Sequence, residues 1–202
     1  MSRSAALARR GIKMAAAVVD RARPPGAGLV VLAYHRVGGG STLELDLTPR
    51  QFEEQIAHLA DEGKAVSLDK GLASLAADRA QPGVAVTFDD GTADFMEHAL
   101  PVLVAHRVPA TYYVATRFID EQKSFPDNGR PLSWSALADA MATGLVTIGS
   151  HTHTHAVMDK VTVGGAAEEL RRAVDLIGEH LGVVADHFAY RVSSVGSRWS
   201  DW

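Results

Sequence analysis

The sequence has no cysteine among its 202 residues. Disulfide bonds and thiolate metal sites are therefore excluded, and any bound metal must be held by histidine, aspartate or glutamate. This absence assigns no cellular compartment, because secreted and cytosolic proteins can both lack cysteine. The chain also has no apolar run long enough to span a bilayer and no internal repeat. Its length and its 47% of hydrophobic residues indicate one globular domain.

Positive charge is concentrated at the N-terminus. Residues 1–24 contain six basic residues against Asp20, whereas the whole chain has a formal net charge of −4. We interpret residues 1–28 as a basic helix and a Pro/Gly-rich linker, suited at most to weak contact with a membrane surface. No other basic cluster suggests nucleic acid as a partner. The stretch "MAAAVV" is too short for a signal peptide core, so we expect a cytoplasmic or membrane-peripheral protein.

Strand and helix patterns alternate through the rest of the chain. A capping box at Thr48–Gln51, with Pro49 at the first helical position, predicts a helix that ends near Gly63. Further helices are predicted near 69–78, 93–106, 133–144 and 164–181, with Pro101 bending or splitting the second of these. The predicted strands are "LVVLAYH" (29–35), "AVSL" (65–68), "GVAVTF" (83–88), "ATYYVA" (110–115), "LVTIGS" (145–150) and "HFAY" (187–190). This alternation predicts an α/β fold with a mainly parallel sheet.

Polar clusters follow two of these strands. Asp89 and Asp90 come directly after 83–88, and "HTHTH" follows 145–150. In α/β folds the active groups gather at the carboxyl ends of the strands, so we expect the two clusters to meet. Adjacent residues of a strand point in opposite directions, so both carboxylates reach one site only if the chain turns there, as Gly91 permits.

The three alternating histidines have two interpretations. If residues 151–155 form a helical turn, His151 and His155 lie on the same side and His153 points elsewhere. Two imidazoles and a carboxylate would then hold a divalent ion and leave positions open, as catalytic zinc sites do. Alternatively, the segment is a polar loop with solvated or core histidines, since short histidine motifs are often fortuitous.

Taken together, these motifs resemble the polysaccharide deacetylases, also called NodB-homology proteins or carbohydrate esterase family four. The resemblance begins with "TFDDG" (87–91) and the His-Thr-x-x-His segment, and it extends over roughly residues 29–190. It also includes "LAYHRV" (32–37), "HALPVLVAHRVPATYYVAT" (98–116), "LSWSALADAMATGLVTIGSHTHTH" (132–155) and "DHFAY" (186–190). It implies a distorted (β/α) barrel, here incomplete with about five or six strands.

The resemblance also implies a role for individual residues. Asp90 would bind a divalent metal with His151 and His155, and Asp89 would be the general base. The metal would be Zn²⁺, with Co²⁺, Ni²⁺ and Mn²⁺ as alternatives, and the substrate an acetylated polysaccharide or oligosaccharide. His153 occupies a variable position and would not be a ligand. His35, Trp134 and Tyr190 are candidates for contact with the substrate or with the site's surroundings. Arg36 could pair with an acidic neighbour, although such an arginine is more often a solvated loop residue.

The family pattern stops at Tyr190. A Pro-aromatic-Gly stretch would follow in the family, and a later acidic segment and a histidine that acts as general acid are not found. We interpret residues 29–190 as a truncated deacetylase domain and residues 191–202 as a divergent tail. On this interpretation we expect metal binding with weak or no catalysis.

Three functions remain open at this point. The first is a metal-dependent enzyme that removes N-acetyl or O-acetyl groups from a cell-surface or extracellular polysaccharide. The second is a catalytically impaired remnant that keeps the metal and glycan site. The third is a metal-dependent C–N hydrolase acting on a non-sugar amide.

Overall fold

A four-stranded parallel sheet forms the centre of the structure, which is a computed structural model describing residues 28–41, 45–77 and 82–191. Its strands are β1 (Leu29–Tyr34), β4 (Gly83–Phe88), β5 (Ala110–Val114) and β6 (Val146–Ser150), in the order β1-β4-β5-β6. A small second sheet pairs β2 (Arg36–Val37) with β3 (Asp46–Leu47). The predicted α/β class and parallel sheet are confirmed.

Helices connect these strands and cover them. They are α1 (Pro49–Asp61), α2 (Leu68–Ala76), α3 (Leu100–His106), α4 (Thr116–Asp120), α5 (Trp134–Ala142) and α6 (Val163–Leu181). A π-helical turn (Phe95–Ala99) leads into α3, and a 3₁₀ turn (Met158–Lys160) precedes α6. The predicted capping box is present at the start of α1. The Thr48 hydroxyl accepts from the backbone N–H of Gln51, and the side-chain oxygen of Gln51 accepts from the backbone N–H of Thr48.

An aromatic cluster anchors the ends of the strands that carry the polar residues. Phe88 packs against Tyr34 at 5.4 Å between ring centroids, against Phe52 at 5.6 Å and against Phe95 at 4.9 Å. Tyr34 is the residue before His35, and Phe88 is the residue before Asp89. Edge-to-face and stacked aromatic pairs each add about 0.5–1.5 kcal/mol beyond the burial of their area. The cluster therefore fixes the backbone from which the two polar side chains project.

Helix α2 packs closely against the sheet at Gly71. A Cβ atom at Gly71 would come within 2.5 Å of a Leu29 methyl group. A second apolar cluster, of Leu68, Ala85 and Tyr113, is buried in the same region and is joined by Leu29 and Ala189. The segment that follows α6 therefore packs back onto the sheet.

Three predicted elements differ in the structure. Residues 187–190 do not form a strand and make only an isolated bridge between Phe188 and Ser150. Residues 65–68 do not form a strand, because Ser67 caps α2 and leaves only the isolated bridge between Ala65 and Val84. The helix predicted at 93–106 is split into the π-helical turn and α3. Pro101 has no N–H to donate within the helix, which accounts for the change of helical type at this point.

The ends of the chain carry predictions that the structure does not test. Apart from Gly28, the predicted basic helix and linker at 1–28 lie outside the described residues. The same holds for the predicted tail at 191–202, apart from Arg191. Among the described residues, no helix is both long enough and apolar enough to cross a membrane.

Candidate metal centre

Four of the predicted site residues leave the sheet at the same edge. His35 follows β1, Asp89 and Asp90 follow β4, and His151 follows β6. The ends of β4 and β6 are joined across β5, since the Ala115 amide donates to the Asp90 carbonyl and the His151 amide donates to the Val114 carbonyl. Parallel topology thus brings together residues that are some sixty positions apart in the sequence.

A tight turn separates the two carboxylates. Asp90 has a φ of +79° and Gly91 a φ of +114°, so the chain reverses directly after Asp89. The Asp89 amide donates to the Tyr34 carbonyl, and the Leu132 amide donates to the Gly91 carbonyl. As a result Asp89 faces His35 on one side, whereas Asp90 faces the histidines on the other. The predicted turn is present, and a left-handed Asp90 takes part in it as well as the glycine.

The histidine segment is not a helical turn, so that premise of the sequence prediction is wrong. Thr152 and His155 have φ values of +67° and +60°, and residues 151–156 form an irregular loop. This ligand loop, as we call residues 151–156, nevertheless turns both outer histidines toward Asp90. Their rings lie 4.9 Å apart between centroids.

Asp90, His151 and His155 form a cluster that fits a metal ion. Oδ1 of Asp90 lies 3.7 Å from Nε2 of His151 and 3.2 Å from Nε2 of His155, and the ligand atoms all lie within 4.8 Å of one another. Ligands bonded tetrahedrally to one zinc ion are roughly 3.4 Å apart. Oδ1 of Asp90 is also buried, and no described residue makes a hydrogen bond with it. An unpartnered buried carboxylate oxygen facing two imidazole nitrogens matches the donor set of a divalent ion.

The protonation of the two histidines suits metal binding. Nδ1 of His151 lies 3.0 Å from the Ala189 carbonyl, which can only accept, so Nδ1 carries the proton and Nε2 presents its lone pair toward Asp90. Burial lowers the pKa of His151 to about 4, with a further lowering by His155. Burial also lowers the pKa of His155 to about 4, with Arg191 adding to the effect. Both imidazoles are therefore neutral near pH 7, the form that binds metals.

Asp89 lies beside this cluster and outside it. Its Oδ2 is 3.7 Å from Nε2 of His35. Burial raises the pKa of Asp89 to about 6, His35 opposes that rise, and the neighbouring Asp90 adds to it. Nδ1 of His35 is buried and makes no hydrogen bond among the described residues. Asp89 and His35 thus form a second polar pair next to the Asp-His-His cluster.

A small cavity of about 90 Å³ opens beside the cluster. Its lining includes three apolar residues, Leu45, Phe125 and Pro126, together with six polar ones. The polar lining residues are His35, Arg36, Asp90, Thr92, Asp127 and His155. The cavity can therefore admit a small group with an apolar end and place it within reach of Asp90 and His155.

The remaining predicted residues lie away from this cavity. Trp134 stacks on His180 at 4.5 Å, and its indole N–H donates to Asp120. Tyr190 is exposed and stacks on Phe188 at 5.9 Å. His153 is hydrogen-bonded to Thr116 through Nδ1 and is not part of the cluster. The structure thus gathers Asp90, His151, His155, Asp89 and His35, and leaves Trp134 and Tyr190 outside the cavity.

Two residues near the site have roles that the sequence analysis did not favour or did not find. Arg36 is buried and pairs with an acidic residue, the less favoured of its two sequence interpretations, with Nε 3.5 Å from the buried carboxylate of Asp94 and Nη1 donating to the Asp127 carbonyl. Glu169 of α6 accepts two hydrogen bonds from Thr154 of the ligand loop. Neither residue has a local sequence signal, because each depends on a partner far away in the chain.

Known proteins share this fold and this part of the sequence. The polysaccharide deacetylase family model matches residues 76–200. IcaB from Ammonifex degensii is 30% identical with a TM-score of 0.70, the match covering 82% of this chain and 74% of that one. A polysaccharide deacetylase from Bacillus cereus is 27% identical with a TM-score of 0.68, covering 82% of this chain and 52% of that one. The Streptococcus pyogenes deacetylase PplD, at 22% identity, has a TM-score of 0.71, with 80% and 73% covered.

No curated protein sequence gives a significant match. The fold and the family match define a hydrolase of the deacetylase class. The chain belongs to the polysaccharide deacetylase family.

Proposed function

We propose that this chain is a metal-dependent hydrolase that removes N-acetyl groups, or O-acetyl groups, from a cell-surface or extracellular polysaccharide. The observation that carries the proposal is the unpartnered Oδ1 of Asp90 facing Nε2 of His151 and His155 at the edge of a small cavity. A second carboxylate, that of Asp89, lies next to this cluster but is not one of its members, and it faces His35.

Asp90, His151 and His155 would hold the metal. Two imidazoles and one carboxylate suit Zn²⁺ best, and Co²⁺, Ni²⁺ or Mn²⁺ also accept this donor set. When bound, the ion supplies a Lewis acid that polarises the acetyl carbonyl and makes a nearby water more acidic. Asp90 would bind the metal through Oδ1 without breaking a hydrogen bond, because Oδ1 makes none with the described residues.

Asp89 would act as general base. Its Oδ2 faces His35, one of the residues that line the cavity, so the two residues flank the region in which a water must attack. Asp89 would take the proton from that water, and His35 lowers the pKa of Asp89 and so favours its charged form. The water oxygen would form the new bond to the acetyl carbon and the C–N bond would break, so that acetate is released and the sugar nitrogen takes up the proton that Asp89 received.

The cavity favours an acetyl group as the part of the substrate that enters. Leu45, Phe125 and Pro126 offer an apolar wall for a methyl group. Asp90 and His155 also line the cavity, and the carbonyl would lie next to them. A volume of about 90 Å³ fits the small acyl group and leaves the sugar ring outside.

The proposal is tested by acetate release from acetylated chito-oligosaccharides. Protein stripped of metal is assayed with and without one equivalent of Zn²⁺, beside Asp89→Asn and Asp90→Asn variants. We expect turnover only with zinc, loss of turnover but retention of zinc in Asp89→Asn, and loss of both in Asp90→Asn.

Other results would separate the alternative functions. Zinc-dependent turnover by Asp90→Asn at the wild-type rate would contradict the proposed metal site. Zinc binding without turnover on any acetylated substrate would favour the impaired remnant. Turnover of a simple acetanilide, with none on the oligosaccharide, would favour a non-sugar amide.

A further inference from the structure

The ligand loop has a conformation that its own sequence does not favour. Thr152 and His155 both adopt left-handed backbone angles, which are disfavoured for residues other than glycine and persist only when surrounding contacts impose them. His155 is one of the three residues proposed to hold the metal. The contacts that impose the loop conformation therefore also decide where its Nε2 lies.

One side of the loop is held by the start of α4. The Thr116 amide donates to the Thr152 carbonyl, and the Arg117 amide donates to the His153 carbonyl. The Thr116 hydroxyl is hydrogen-bonded to Nδ1 of His153 at 3.0 Å. First-turn amides have no partner within their own helix, so the loop carbonyls satisfy them. The middle histidine, outside the metal cluster, therefore braces the loop.

The other side is held by a single carboxylate. Glu169, half-buried on α6, accepts from the Thr154 amide at 2.7 Å through Oε2 and from the Thr154 hydroxyl at 2.8 Å through Oε1. Both oxygens of Glu169 thus bind one loop residue, the one directly before His155. Charge-assisted hydrogen bonds of this length are the stronger kind, and they fix the backbone from which His155 projects.

We infer that Glu169 is a positioning residue that presets the ligand loop for metal binding. This inference rests on the proposed metal-dependent function. Glu169 does not touch the metal cluster. It acts through Thr154 on His155, as the outer contacts of metal ligands do elsewhere, and loss of such contacts weakens metal affinity by about 10–100-fold.

The neighbouring Glu168 provides a matched control. It lies on the same helix, is exposed and pairs with Arg171, so its removal changes the same charge without touching the loop. Zn²⁺ affinity of the full chain is measured by competition with a chromophoric chelator for wild type, Glu169→Ala, Glu169→Gln and Glu168→Gln. We expect Glu169→Ala to bind zinc about 10–100-fold more weakly. Glu169→Gln keeps one accepting oxygen and should recover part of the loss, whereas Glu168→Gln should match wild type.

Two further readouts separate positioning from stability alone. The visible spectrum of the Co²⁺-substituted protein reports ligand geometry, and we expect it to change in Glu169→Ala and Glu169→Gln but not in Glu168→Gln. Thermal unfolding of the metal-free proteins reports stability. A Glu169→Ala protein that unfolds earlier, yet keeps wild-type zinc affinity and the wild-type cobalt spectrum, would overturn the inference. If Glu169→Ala does not fold, Glu169→Gln carries the test. Wild-type protein that binds no zinc would instead overturn the proposed function.

Discussion

The buried pair of Arg36 and Asp94 gives the sharpest test of how the cavity wall is held. Both residues are only 6% exposed, and Nε of Arg36 lies 3.5 Å from Oδ1 of Asp94. The other oxygen of Asp94 accepts from the Val37 amide at 2.9 Å. The guanidinium also donates to the carbonyls of Asp127 and Gly39. One side chain therefore joins the start of the π-helical turn to two loops, of which one lines the cavity.

We expect Arg36→Met to destabilise the protein strongly. The substitution keeps an apolar stem of similar length but leaves the Asp94 carboxylate buried without the guanidinium that pairs with it. Breaking a buried pair in this way costs about 3–5 kcal/mol. At about 2–4 °C per kcal/mol for a chain of this size, the midpoint of thermal unfolding should fall by about 6–20 °C.

The assay is urea denaturation followed by circular dichroism, with an exposed ion pair as the control. Arg50 and Glu54 are 2.9 Å apart with side chains 87% and 62% exposed, and such pairs on a helix contribute about 0.3–0.5 kcal/mol. Arg36→Met should therefore lose several-fold more stability than Arg50→Met. The double variant Arg36→Met/Asp94→Asn removes both charges and should lose less than the sum of the single variants. Equal losses in Arg36→Met and Arg50→Met would refute the reasoning.

Three other substitutions probe the fold and the metal site. Gly149→Ala should lower the free energy of unfolding, measured in urea, by about 1–3 kcal/mol. The new Cβ would lie 2.6 Å from the Tyr113 ring and 2.9 Å from the His187 carbonyl. An unchanged free energy would mean that this part of β6 is loosely packed. Thr48→Ala should cost about 1 kcal/mol by loss of the α1 cap, and Thr48→Ser should restore most of it. Zinc at about 100 times its Kd should stabilise wild type by about 2.7 kcal/mol in thermal unfolding but leave His155→Ala unchanged. An equal shift in both proteins would place zinc elsewhere.

Local sequence signals were sufficient for most of the regular structure. The start of α1 depends on Thr48, Pro49 and Gln51, which lie next to one another and satisfy the free amides themselves. The central strands β4 and β5 are continuous apolar runs, and all but one of their residues are buried. The segment at 65–68 was mispredicted because a strand-like composition competes there with a helix cap at Ser67, and the cap prevails.

Long-range contacts explain what the sequence analysis missed. The sequence leaves open whether Arg36 is solvated or pairs with an acidic residue, and only the fold brings Asp94 beside it. Glu169 lies on an amphipathic helix whose charged residues are expected to face water, yet its partner Thr154 is fifteen positions earlier. In both cases the residue type is visible in the sequence, but the contact that gives it a role is not.

The proposed metal cluster shows a different limit of sequence reasoning. The spacing of His151 and His155 selected this pair through a helical turn that the structure does not contain, and the resemblance independently selected the same two residues. The structure brings them together through left-handed angles at Thr152 and His155, and the β-branched Thr152 carries no sequence signal for such an angle. The proton on His151 is placed by the carbonyl of Ala189, a group that every amino acid possesses. Sequence patterns can therefore name the side chains of such a site, but the backbone that orients them becomes visible only in the folded chain.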